Sequence, residues 1–141
     1  KLLWDDNRDR GKKEEASQIL FYGLVKNYCE ANDIDISRES NVGRGPVDFK
    51  FSHGYINRVL LEVKLARNTK FWHGLKKQLP QYLKSEEIVK GYFMVVIYNE
   101  KDFKRANKIN DRIAELNEKS FYDIVPILID ATVNKPSASN L

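Results

Sequence analysis

Residues 43–64 read GRGPVDFKFSHGYINRVLLEVK. Val47, Phe49 and Phe51 alternate onto one side in the first half, and Val59, Leu61, Val63 and Leu65 do so in the second, so each half is a strand with one buried face. The remaining faces carry Asp48 in the first strand and Glu62 with Lys64 in the second. His53-Gly54 marks the reversal and predicts a hairpin. A register that sets Asp48 opposite an even-numbered residue such as Glu62 then gathers two carboxylates and an ammonium on one face.

That set suits one kind of chemistry. Phosphodiester hydrolysis needs charge stabilised on the nonbridging oxygens, an attacking water of lowered pKa and help for the departing alkoxide, most of which divalent cations supply. Hard cations such as Mg2+ or Mn2+ take oxygen ligands, whereas a zinc site calls for Cys and His. Glu62 and Lys64, two apart on a strand, share a side, and the Val63 carbonyl between them is a further hard ligand. Lys64, beside two carboxylates, is expected to stay protonated and to orient the attacking water or neutralise the scissile phosphate.

These residues resemble the PD-(D/E)XK, or restriction-endonuclease-like, nucleases. Gly45-Pro46-Val47-Asp48-Phe49 is similar to the segment with the first metal-binding Asp, and Glu62-Val63-Lys64 to the E-x-K signature, with thirteen residues between Asp48 and Glu62. Gln78-Leu79-Pro80-Gln81-Tyr82 resembles the Q-x-x-x-Y element of the RecB-like branch, whose Gln and Tyr sit on the following helix near the metals and the nucleic-acid backbone. The resemblance covers roughly Glu14 to Tyr98. It also implies an acidic residue on the first helix, often with a Gln one turn later, which Glu14 and Gln18 match.

At 141 residues the chain is one domain with room for a single core. A hydrophobic content of 42% excludes a wholly disordered chain. A net charge of +4 suits a polyanionic partner without demanding one. The single Cys29 excludes an internal disulfide, His53 and His73 lack ligand spacing for zinc, and no apolar run reaches the length of a membrane span. A cytoplasmic location is the expectation. The chain starts at Lys1 without Met, as an excised domain of a longer protein would.

Residues 1–12 read as a charged leader, 13–130 as the nuclease-like domain and 131–141 as a polar tail. From Lys13 to about Asn32 a helix is predicted, with Leu20, Phe21, Leu24, Val25 and Tyr28 as its apolar face and Leu24 at the centre. On that wheel Glu14 falls near the edge of the face and Glu15 almost opposite, so Glu14 is the better placed acid and Glu15 the alternative. Acids in a first helical turn also favour the macrodipole whatever the function. Ile34–Ser40 reads as a short strand. Arg44 in the Gly43–Pro46 turn is a candidate phosphate contact, although a solvated turn arginine is the simpler account of it. A helix over Phe71–Glu86 buries Trp72, Leu75, Leu79 and Leu83 and carries Gln78 and Tyr82 along a neighbouring line. Pro80 predicts a kink or restart there. Lys76, Lys77, Lys84 and Lys90 make a basic flank able to track a phosphate backbone. Gly91–Tyr98 is a central strand covered on both faces, Phe103–Lys119 an amphipathic helix and Tyr122–Ile129 a last strand.

The expected fold is therefore α/β, a mixed central sheet flanked by helices in the order αβββαβαβ, as in the restriction-endonuclease-like core. The expected function is a Mg2+- or Mn2+-dependent nuclease acting on DNA. Asp48, Glu62 and the Val63 carbonyl would ligate metal, with Glu14 completing the set; Lys64 would act on the water; Gln78, Tyr82, Arg44 and Lys77 would hold nucleic acid. On this reading Asp48→Ala or Lys64→Ala abolishes cleavage at little cost to the fold. Cutting both strands would favour a homodimer. Two other readings compete: a nucleic-acid-binding or protein-interaction module without the reaction, and a structural role in which the acids pair with Lys50, Arg58 or Arg67.

Overall fold

The computed structural model describes residues 10–38, 48–68 and 71–132. Its elements are α1 (Arg10–Ala31), β1 (Asp35–Arg38), β2 (Phe49–His53), β3 (Asn57–Leu65), α2 (Phe71–His73), a π-turn (Gly74–Gln78), α3 (Leu79–Ser85), β4 (Lys90–Ile97), a 3-10 turn (Glu100–Asp102), α4 (Phe103–Asn107), α5 (Ile109–Lys119) and β5 (Asp123–Asp130). The five strands lie in chain order, antiparallel from β1 to β3 and parallel from β3 to β5. This is the α/β mixed sheet that the alternation predicts.

The hairpin has the register the site needs. Phe49 pairs with Leu61 and Phe51 with Val59, and one further step sets Asp48 level with Glu62. Gly54 turns the chain at φ +73°, a conformation L side chains rarely adopt. Phe49, Leu61, Val63 and Leu65 face α1, where Phe49 meets the rings of Phe21 and Tyr22 at centroid separations of 5.1 and 6.4 Å. Burying such a ring contributes about 1.5–3 kcal/mol.

The opposite face carries the larger core. Phe71, Leu75, Leu79 and Leu83 lie on it with Ile109 and Ile113 of α5, against Leu60, Phe93, Val95 and Ile97. β4 is thus covered on both faces, because Met94, Val96 and Tyr98 join the α1 side. Trp72 only flanks this core; Phe71 and Phe93 are its wholly buried aromatics. At the outer edge, Asn117 brackets Ile124 through its N–H and C=O at 2.9 and 3.0 Å. Pro126, two residues on, offers no N–H, so this edge is blunted against further strands.

Several boundaries and one face differ from expectation. α1 begins at Arg10, β1 is shorter than predicted, and the helix expected over 103–119 breaks at Lys108 into α4 and α5. Leu24 and Tyr28 are 72% and 66% exposed, so they are not the buried stripe of α1. The stripe runs instead through Glu14, Phe21 and Val25, with Phe21 and Val25 each about 20° from Glu14, on either side, at 100° per residue. The sheet offers α1 a ring-sized surface at Phe49 and Phe51, and Phe21 takes it, rotating the helix away from Leu24. No helix among the described residues is long and apolar enough to cross a membrane.

Candidate active site

β3 outruns its hairpin partner. β2 pairs with it only as far as Phe49 opposite Leu61, while β3 continues to Leu65. Beyond that point the amides of Val63 and Leu65 face an edge that carboxylates fill. Val63 N–H donates to Asp48 Oδ2 at 2.6 Å, and Leu65 N–H to Glu14 Oε2 at 3.4 Å. Gln18 Nε2 on α1 donates to Asp48 Oδ1 at 2.9 Å, and Asn68 Nδ2 to Glu14 Oε2 at 2.9 Å. The N–H and C=O of one residue in an antiparallel strand face the same neighbour, so the Val63 carbonyl faces this edge too.

Lys64 joins the acids from the two sides. Its Nζ lies 3.3 Å from Glu62 Oε1 and 3.7 Å from Glu14 Oε1. Glu62 is only 3% exposed, because the face it occupies is covered by the helical layer after β3. Burial, and then the charge of Asp48, push its carboxyl up to about 8. Burial also raises Asp48, to about 6, against the pull of the Val63 amide. For Lys64 burial works to lower the pKa, but Glu62, Glu14 and Asp48 outweigh it and raise it overall.

The helix beyond β3 is shaped to admit Lys64. Pro80 has no amide, and its ring crowds the carbonyl of residue 76, so a regular helix cannot run through it. The chain widens into the π-turn instead, Leu79 N–H reaching back to the Gly74 carbonyl. π-turns of this kind recur at functional sites. A Cβ on Gly74 would sit 3.0 Å from Lys64 Cε and 3.4 Å from Gln78 Oε1, so the missing side chain leaves the space that both occupy. Gln78 Oε1 and Glu62 Oε2 are buried acceptors with no hydrogen-bond partner among the described residues.

Residues 1–100 match the family DUF8371, a domain of unknown function. The chain belongs to that family. No curated protein and no solved structure matches it.

The structure thus brings together Asp48, Glu62, Lys64, Glu14 and the backbone of Val63, with Gln78 beside them. Glu14 rather than Glu15 reaches the cluster; Glu15 is exposed. Tyr82 lies a turn beyond Gln78, half-buried against the helical core, and Lys77 is exposed. Arg44 lies outside the described residues. Lys50 and Arg58 pair with Glu86, at 2.9 and 3.9 Å, rather than with the site acids. An open hollow of about 460 Å3 lined by Tyr55, Ile56, Arg58 and Lys90 lies at the start of β3, roughly 17 Å of strand from Glu62.

Sequence reasoning missed Asn68, Gly74 and Arg105. Arg105 Nη1 donates to the carbonyls of Ala66 and Asn68 at 2.9 and 3.2 Å and so pins the turn that delivers Asn68 to Glu14. Asn68 and Arg105 carry no periodic signal, but an isolated glycine inside a helical pattern is a signal that could have found Gly74.

Among the described residues no three His, Cys, Asp or Glu side chains form a ready-made metal cage. Mg2+ does not require one: it is commonly held by one or two carboxylates, with water and substrate phosphate completing the shell. Asp48, Glu62 and the Val63 carbonyl are hard donors of that kind. The unpartnered Glu62 Oε2 is the buried atom that such a cation would satisfy.

Proposed function

We propose that this domain is a Mg2+- or Mn2+-dependent nuclease that hydrolyses phosphodiester bonds in DNA. One observation carries the reading. A buried carboxylate, Glu62, and a half-buried one, Asp48, crowd against a cationic lysine where β3 leaves its partner strand, and one oxygen of Glu62 has no partner among the described residues. A fold gains nothing from burying like charges together, so the arrangement calls for a ligand.

When bound, the metal would neutralise charge on the nonbridging oxygens and acidify the attacking water. Asp48 and Glu62 with the Val63 carbonyl would hold it. Lys64 keeps its proton and directs it, from between Glu62 and Glu14, at the water or a phosphate oxygen. Glu14, fixed by Asn68, positions that ammonium. Gln18 holds Asp48 from the side of α1. The resemblance to the PD-(D/E)XK nucleases supports the same assignment through Asp48, Glu62-Val63-Lys64 and Gln78.

Incubation with plasmid DNA in Mg2+ or Mn2+ tests it. Nicked or linear product is expected from the wild-type chain, none in EDTA, and none from Lys64→Met. The binding-module reading would give metal-independent retention of DNA with no product.

A further inference from the structure

The catalytic cluster does not account for two arginines beside it. Arg38 ends β1 opposite Phe49, next to Asp48, whose carboxyl its charge helps to lower. Arg67 follows Lys64 by three residues, its guanidinium 5.7 Å from the ring of Tyr98. The Tyr98 hydroxyl is in turn hydrogen-bonded to Ser17 of α1 at 3.0 Å. In both arginines Nε is buried without an acceptor among the described residues. The surrounding acids are otherwise engaged, Glu14 and Glu62 by Lys64 and Glu86 by Lys50 and Arg58. A buried donor left unsatisfied costs about 1–3 kcal/mol, more when it belongs to a charged group. A phosphate oxygen matches the planar guanidinium fork and would satisfy it.

We propose that Arg38 and Arg67 form a phosphate clamp bracketing Asp48, Glu62 and Lys64, so that the substrate is a polynucleotide strand gripped by phosphates on both sides of the scissile one. Arg38 is level with Leu61 through Phe49, and Arg67 lies just past Leu65. β3 rises about 13 Å between those levels, and Glu62, Val63 and Lys64 lie within that rise. A lone phosphate cannot engage both ends of that span. The clamp rests on the nuclease reading for its substrate, but its test does not depend on cleavage.

The test uses Arg38→Ala and Arg67→Ala with two substrates, a 30-nucleotide DNA and bis(p-nitrophenyl) phosphate, a diester without neighbouring phosphates. Each substitution is expected to raise KM for the oligonucleotide about tenfold, with kcat changed far less. The loss of kcat/KM on the oligonucleotide should exceed that on the small diester by a similar factor. Fluorescence anisotropy of labelled DNA in EDTA, across a salt series, should show the log–log slope falling by about one per arginine removed. Arg38→Lys and Arg67→Lys keep the charge and lose the fork; in them the slope holds while KM still rises. Equal losses on both substrates, or an unchanged salt slope in both alanine variants, overturn the clamp. If the wild-type chain cleaves neither substrate, the nuclease reading falls, and the anisotropy slope alone decides the clamp.

Discussion

Glu62→Gln isolates the electrostatic cost of the site. In the folded chain the Glu62 carboxyl is raised from 4.5 to about 8 by burial and by Asp48. Between those limits the native state holds a proton that the unfolded chain has released, so wild-type stability falls as pH rises, by up to about 1.4 kcal/mol per unit. Asp48, raised from 3.8 to about 6, adds a loss of the same sign over the lower part of that window. Glutamine fills nearly the same volume, keeps an acceptor for Lys64 and does not titrate. Metal-free Glu62→Gln should therefore match wild type near pH 4.5 and gain on it progressively, reaching an advantage on the order of 5 kcal/mol above pH 8. Urea denaturation in EDTA at pH 5, 6.5, 8 and 9 reads this directly. The same series with saturating Mn2+ should raise wild-type stability by about 2.7 kcal/mol at a hundred times Kd, and the variant far less. Parallel wild-type and variant curves across the pH series would refute the reasoning, as would a variant less stable than wild type at pH 8.

The hydrogen bond from Val63 revises what Asp48 substitutions should do. Asp48→Ala leaves that amide without its acceptor and should lose about 1–3 kcal/mol in urea titration, whereas Asp48→Asn should keep most of the stability; neither should cleave DNA. Gly74→Ala places a methyl against Lys64 Cε, so cleavage should fall at least tenfold while stability shifts by no more than about 1 kcal/mol; wild-type cleavage in this variant would show that Lys64 is not confined by the π-turn.

Alternation made the hairpin and its register legible, since a one-residue slip would turn Phe49, Leu61 and Val63 out of the core. The same pattern placed Glu62 and Lys64 together. It could not show that their face lies under a helix, because burial of that face depends on where the chain crosses after Leu65. α1 misled for a related reason: Leu24 and Phe21 are equally apolar in sequence, and only the aromatic surface at Phe49 chooses between them. Pro80 announced an irregularity but not its form, a π-turn opening N-terminal to the proline in which Gly74 leaves room for Lys64. The bond from the Val63 amide to Asp48 is not legible in sequence, because a strand-end carboxylate capping a backbone amide leaves no trace in side-chain periodicity.

Anomalous diffraction from crystals soaked in Mn2+ tests the central claim most directly. A Mn2+ peak within coordination distance of Asp48, Glu62 and the Val63 carbonyl is the expected result. Full occupancy elsewhere on the protein, with Asp48 and Glu62 left holding only Val63, Gln18 and Lys64, would contradict it.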